Sequence, residues 1–307
     1  MPTSSPSPSS TYRQVEIAVH LGVPQTDFGQ LVWSLRKDAN LLMRHGVLVK
    51  RPRLYLPSLR KTLSRRIEGV VQQTDRRELL TEIIGDTDTR RVVLSDPSLM
   101  GATQWLLAGG QFFWNGARNL EELSDLLFPN QVSLYISIRN PATLIPAVFD
   151  GFDKKPWDSF IGNTNLRELR WSTLIEAISR AVPDCPIHVW CSEESPVIWP
   201  RVLQEVTGLP ADRVPFQGAR DILDLTLTEA GVARLNSYLS ENTGLTGTAL
   251  DQVYALFLKH FRAEDPLERA KQVPSWPHAL VEEMTATYLE DIKRIQSMSG
   301  VTVITGH

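Results

Sequence analysis

Five short runs rich in β-branched and other apolar residues punctuate the chain. They are VEIAVHLG from Val15, RRVVLSD (Arg90 to Asp96), VSLYISIR (Val132 to Arg139), IHVWC (Ile187 to Cys191) and VTVI (Val301 to Ile304). Mostly apolar runs of this length read as strands buried on both faces of a sheet. Between them, apolar positions recur at three- and four-residue spacing over Phe28 to Arg44, Arg76 to Ile84, Asn119 to Phe128, Asn165 to Val182, Pro196 to Thr207, Glu229 to Asn242, Thr248 to Phe261 and His278 to Met298, which predicts helices. In the last of these, Leu280, Val281, Met284, Tyr288, Leu289, Ile292 and Ile295 form the apolar face, and Glu282, Glu283, Glu290, Asp291 and Lys293 the polar one. Short buried strands alternating with amphipathic helices predict one α/β domain over residues 13–307, in three layers, with a mainly parallel sheet flanked by helices and joined by right-handed connections. Residues 1–12 offer no apolar face and are expected to be a disordered Ser/Pro-rich tail.

Composition adds less to the fold than to the functional class. With 307 residues, 42% hydrophobic and 22% charged, the chain can bury a sizeable core without disulfides. A formal net charge of −3 gives no general attraction to nucleic acid or anionic lipid, so no nucleic-acid partner is expected. No apolar run approaches the roughly 18 residues of a membrane span, and the N-terminus lacks a signal peptide's apolar core, so a cytoplasmic protein without a membrane span is expected. Cys185 and Cys191 bound one apolar run, where an extended strand holds them too far apart to bridge, and they read as reduced core thiols. The histidines share no ligand spacing and no Cys-x-x-Cys pair occurs, so no metal site is expected. Neither a Gly-x-Ser-x-Gly elbow nor a cation beside Cys191 points to nucleophilic catalysis.

In an open parallel sheet, ligands bind at the carboxyl ends of the strands, and a phosphate is held best where the first strand turns into a helix. That segment is HLGVPQTDFGQL, His20 to Leu31. With its context it resembles the bacterial PAPS-dependent sulfotransferase family, whose first strand runs into a His-x-Gly-x-x-Lys-Thr-Gly-Thr-Thr type loop; His20, Gly22, Pro24 and Thr26 match. The resemblance continues through Asn40 to Leu42, Gly46 to Leu48, LSDPSLMG, SIRNP, CSEES, and Tyr288, Asp291 and Ile292 of the last helix, and ends in a Gly-Val strand. It implies a P-loop sulfotransferase-like fold and transfer of a sulfuryl group from the nucleotide donor PAPS, with Gln25, Thr26 and Arg139 at donor-binding positions.

The motif residues depart from the family at three places. The donor-binding Lys is Gln25, the following Gly is Asp27, and the two hydroxyl positions are Phe28 and Gly29. A Lys about 4 Å from a phosphosulfate oxygen contributes on the order of 4 kcal/mol at an effective dielectric near 20, and an Asp at that distance opposes binding comparably. Arg139 keeps the first contact to the donor's 3′ phosphate, as a retained anion contact or a structural partner, but the Ser that completes it is Ala147. The position of the family's acidic base is Pro97; Asp96 could substitute from the neighbouring position, but a Ser-Asp-Pro sequence more often caps the following helix. His20 shapes or packs the loop rather than acting as a base.

Two further segments carry candidate contacts. Thr103 to Leu120 holds Trp105, Phe112, Phe113 and Trp114 around Gly109 and Gly110, and is either a core helix with its turn or a pocket wall or protein-binding patch, which Trp157 and Phe160 could join. Lys50 to Arg66 is basic and is either an anion-facing flap or a solvated helix face. The three departures together predict a sulfotransferase-like protein that has lost PAPS-dependent catalysis, needs no cofactor and acts as a protein-interaction or regulatory module. The alternative is an active enzyme that moves a sulfuryl group from PAPS to a glycan or small hydroxyl acceptor through a non-standard loop. A third reading is a binding protein for another anion or nucleotide at the helix start near Thr26.

Overall fold

The computed structural model describes residues 14–27, 29–85, 88–151, 156–210, 213–263 and 276–306. The Ser/Pro-rich segment 1–12 and Phe28 lie outside the described residues. Strands β1 (Glu16–His20), β2 (Val47–Val49), β3 (Arg91–Ser95), β4 (Gln131–Ile138), β5 (Ile187–Cys191) and β6 (Val301–Val303) form one sheet in the order β2-β3-β1-β4-β5-β6, every pairing parallel. The helices are α1 (Gln30–Arg36), α2 (Ala39–Arg44), α3 (Leu56–Ile67), α4 (Gln73–Ile84), α5 (Gly116–Leu127), α6 (Pro141–Asp150), α7 (Trp157–Ile161), α8 (Trp171–Ala181), α9 (Ser195–Thr207), α10 (Asp221–Thr226), α11 (Glu229–Glu241), α12 (Gly247–Phe261) and α13 (His278–Gln296).

The side-chain period of two along each strand feeds two cores. Ile17 and Val19, Val92 and Leu94, Leu134 and Ile136, and Val189 face a core closed by α3, α4, α5, α6, α8 and α13. Ala18, Val93, Tyr135 and Trp190 face the other, closed by α1, α2, α9 and α10. The fold is therefore a three-layer α/β arrangement with a parallel sheet flanked by helices, as the strand and helix pattern predicts. A small cluster of Leu223, Leu227, Leu235, Tyr254 and Leu258 packs α11 and α12 together beside it. Both cysteines are free and buried, and among the described residues no helix is long and apolar enough to cross a membrane.

Several elements differ from the pattern reading. The predicted helix over Phe28 to Arg44 is two, because the buried Asp38 turns its carboxylate onto the backbone and side-chain amides of Gln217, at 2.9 Å each, and the chain breaks there. Strand β2 is only three residues long and is not among the five runs read as strands from the sequence. In α13, Leu289 is 55% exposed, off the apolar face, whereas Asp291, assigned to the polar face, is 2% exposed. Residues 284, 288, 291 and 295 fall on one stripe at helical spacing, so geometry puts Asp291 toward the core. There its Oδ2 accepts the backbone N–H of Ser172 at 3.0 Å, capping the start of α8 from a distant element.

This cap makes a testable link between α13 and the α8 layer. Asp291→Ala leaves a buried N–H without its acceptor and is expected to cost about 1–2 kcal/mol, a fall in Tm of a few degrees by calorimetry. Asp291→Asn keeps an acceptor oxygen and is expected to lose less; equal Tm for Asp291→Ala and the unaltered protein would refute the cap.

Candidate functional site

The carboxyl ends of β1, β3, β4 and β5 converge on the loop between β1 and α1, at residues 21–29. Gly22 has φ 53, and a Cβ there would stand 3.2 Å from the backbone nitrogen of Pro97, so this loop and the turn after β3 touch backbone to backbone. Gln25 also sits in the left-handed region, at φ 63, an uncommon conformation for a residue with a side chain. Thr26 is buried; its hydroxyl donates to the carbonyl of Val23 at 2.6 Å, and its own carbonyl accepts the Ser192 hydroxyl at 2.7 Å. Neither Thr26 group points to an open cradle.

Asp27 decides the chemistry of the loop. Its carboxylate, 4% exposed as a residue, accepts the N–H of Gly29 at 3.0 Å through Oδ1 and that of Leu31 at 3.3 Å through Oδ2, while its carbonyl accepts the N–H of Gln30 at 2.9 Å. Those are the free N–H groups of the first turn of α1, the groups that hold a phosphate in a nucleotide-binding loop. The chain's own carboxylate fills the anion position. A second anion at about 4 Å from it would be opposed by about 4 kcal/mol at an effective dielectric near 20.

Behind Asp27 lies His20, 1% exposed. Its Nδ1 is 2.9 Å from the Ser95 hydroxyl, its Nε2 is 4.0 Å from Asp27 Oδ2, and its ring stacks on Trp190 with centroids 5.7 Å apart. Burial lowers its pKa below the ordinary 6.5, and the nearby Asp27 carboxylate offsets part of that fall. Ser95 in turn exchanges both backbone hydrogen bonds with the buried Tyr55 hydroxyl, at 2.8 and 3.0 Å. Burial raises the Tyr55 pKa, so this phenol stays protonated and can donate and accept at once.

Arg139 stands at the end of β4 and faces this loop. Its Nη1 donates to the carbonyl of Gln25 at 2.8 Å and its Nε to the Thr143 hydroxyl at 3.1 Å, so the guanidinium holds the loop in its left-handed turn. Ala147, where the family places its 3′-phosphate Ser, is buried in α6. The next residue, Asn140, caps α6, receives Glu193 on its backbone N–H at 2.7 Å and donates to Thr285 of α13 at 2.9 Å. Glu193 also accepts the Tyr288 hydroxyl at 3.0 Å, and burial with these carboxylates pushes the Cys191 thiol up to about 12, which removes it as a nucleophile at neutral pH.

The other sequence candidates separate in space. Asp96 is buried with both oxygens engaged: Oδ1 accepts the backbone N–H of Ser98 at 2.6 Å and its hydroxyl, and Oδ2 lies 3.4 Å from Arg60. It closes a turn after β3 and no α-helix follows directly, so the cap is of a turn and not of a helix. The Lys50 to Arg66 segment contains α3, whose Arg65 pairs with Asp75 and Arg66 with Glu122 and Asp125. These cations tie α3 to α4 and α5 rather than facing an anion. Sequence reasoning missed the hydrogen bonds that Tyr55 and Ser192 make, since Tyr55 lies in no motif and the CSEES segment of Ser192 gives no sign of its bond to Thr26.

Of the four aromatics around the Gly pair, Phe112 and Phe113 are core: each is 2% exposed and Phe112 stacks on Trp171 with centroids 4.0 Å apart. Trp105 and Trp114 are 52% and 56% exposed and border a cavity of about 630 Å³ that Met100 and Phe113 also line. Phe160 is buried against Phe149, and Trp157 packs against Phe149 and Trp276, so those two do not join the exposed pair.

The His20 environment sets a pH dependence. Because its folded pKa lies below the unfolded 6.5, the unfolded chain takes up a proton that the folded chain refuses. The stability this contributes is present above about pH 6.5 and is lost as pH falls through the folded value; His188, also lowered first by burial, acts in the same direction. His20→Gln is expected to flatten the decline of Tm between about pH 6.5 and 5, and an unchanged slope would remove His20 as the cause. Compared with known proteins, the chain matches no family model and no curated protein.

Proposed function

We propose that this chain is a sulfotransferase-like protein that no longer carries out PAPS-dependent transfer and serves as a protein-interaction or regulatory module. The observation that carries the reading is the Asp27 carboxylate on the N–H groups of Gly29 and Leu31, where a donor's phosphosulfate would have to sit. Three further features agree with it. Gln25 supplies no charge, Arg139 is spent on the Gln25 carbonyl, and Asp96 already has three partners. The residues present do not fit the donor, and the alternative of an active transferase would require Asp27 to be expelled from a buried cap. The exposed pair Trp105 and Trp114 beside an apolar cavity is the best partner-facing surface near this edge, since indole rings at a wet rim are enriched in interface anchors.

The test is site-specific. With PAPS at about millimolar concentration, the amide resonances of Gly29 and Leu31 are expected not to shift, and no sulfuryl transfer to hydroxyl acceptors is expected. The double substitution Gln25→Lys, Asp27→Gly frees both N–H groups and adds a cation, so weak donor binding at these amides should return while turnover stays absent, because Pro97 and Ala147 are unchanged. A PAPS-induced shift at Gly29 and Leu31 in the unaltered protein would overturn the reading.

A further inference from the structure

Along the face of α1 that runs from Gln30 to Lys37, the chain leaves positive charge beside an exposed indole. Trp33 is 70% exposed on α1, one turn before Arg36 and Lys37. Together with Arg51, from the segment after β2, and with Asp221 and Leu225 of α10, they line an open pocket of about 550 Å³. Its walls are fixed by close packing. A Cβ at Gly218 would lie 2.6 Å from Ser34 Cα, so only glycine lets the start of α10 lie against α1. The Ser34 hydroxyl then donates to Asp221 at 2.8 Å and receives the Trp199 indole N–H at 3.1 Å, while Arg36 donates to the Val49 carbonyl at 3.4 Å.

Charge in this pocket does not cancel. Asp221 is neutralised by Lys37 and Asp224 by Arg220. Arg36 makes only its bond to the Val49 carbonyl, and the side chains of Arg51 and Arg53 have no hydrogen-bond or carboxylate partner among the described residues. Arg36 and Arg51 line the same pocket, and burial first, then the positive charges of Arg51 and Arg53, lower the Arg36 pKa. Arg60, Arg65, Arg66 and Arg91, by contrast, each face a carboxylate.

We propose that the pocket between α1 and α10 binds a phosphate monoester joined to a planar ring, the phosphate on Arg36 and Arg51 and the ring on the face of Trp33. A guanidinium matches phosphate oxygens in a planar fork, and an exposed indole gains by stacking on a ring. The pocket volume suits a compact ligand, and the overall charge of −3 with acidic α10 alongside does not favour an extended polyanion. The site is separate from the β1–α1 loop, so it stands whether or not that loop has lost its donor.

Calorimetry at low ionic strength with phenyl phosphate, adenosine monophosphate, inorganic phosphate and phenol tests it. At least one of the two ring-bearing esters is expected to bind about tenfold or more tighter than inorganic phosphate, with phenol undetected; which ester is tighter tells a phosphoaryl group from a nucleotide. Trp33→Ala should erase the ring's advantage, and Arg51→Glu should abolish binding of every phosphate probe, each at a Tm no lower than that of the unaltered protein, because both side chains are exposed and the Arg51 charge opposes that of Arg36. No binding of either ester at about 10 mM, or affinities that ignore both substitutions, would overturn the proposal. A PAPS signal lost on Arg51→Glu but silent at Gly29 and Leu31 belongs to this pocket, and one felt at those amides belongs to the loop.

Discussion

Where four parallel strands end against a buried loop, every polar group on that loop has to find a partner inside the protein. Among its described residues, the β1–α1 loop meets several of these demands from its own chain. Asp27 takes two N–H groups of α1, Arg139 takes the Gln25 carbonyl and Ser192 the Thr26 carbonyl. The same hydrogen bonds fasten β4 and β5 to α1, while His20 and Ser95 join β1 to β3 and onward to Tyr55. In nucleotide-binding loops, part of this demand is left open for the ligand to meet. Here it is closed, and the order of the sheet's carboxyl edge and the absence of a cradle are one fact.

Closure has an energetic logic. A helix of seven residues has little dipole or nucleation strength of its own, so α1 depends on a cap and on packing of Leu31 and Leu35. A fixed internal carboxylate supplies the cap at all times, whereas a ligand would supply it only when bound. Removing Asp27 to reopen the loop therefore sacrifices a cap as well as a repulsive charge. Affinity regained at the loop and stability lost in α1 are coupled through two N–H groups.

The fold was readable because parallel strands buried on both faces leave continuous apolar runs, and five of the six strands are read from them; β2, Val47–Val49, is apolar too but follows so closely on the helical pattern ending at Arg44 that it is not set apart from it. Helix faces were readable where polarity and register agree. At Asp291 they disagree, since a carboxylate at a core-facing position is used as a distant cap, and polarity alone assigns it to solvent. The loop's departures, Gln25 and Asp27, stand plainly in the sequence. What they do does not: Arg139, Ser192, Tyr55 and Asp96 each bond to a residue 36 to 166 positions away, and chain spacing carries no record of such contacts. The aromatic segment divides for a similar reason, since only the three-dimensional turn at Gly109 and Gly110 separates the buried Phe112 and Phe113 from the exposed Trp105 and Trp114.

Helix α1 gathers these consequences at its two ends. Its first turn is closed by a carboxylate, and its last turn presents Arg36 and Lys37. Each end thus carries the charge that the helix dipole favours. Lys37 is matched by Asp221 across the Gly218 contact, but Arg36, set against Arg51 and Arg53, is not. Like charges held together cost stability unless a counter-ion attends them. Electrostatic demand that nucleotide-binding loops leave for a ligand is met internally at this loop, whereas beside Arg36 an anion can approach from solvent.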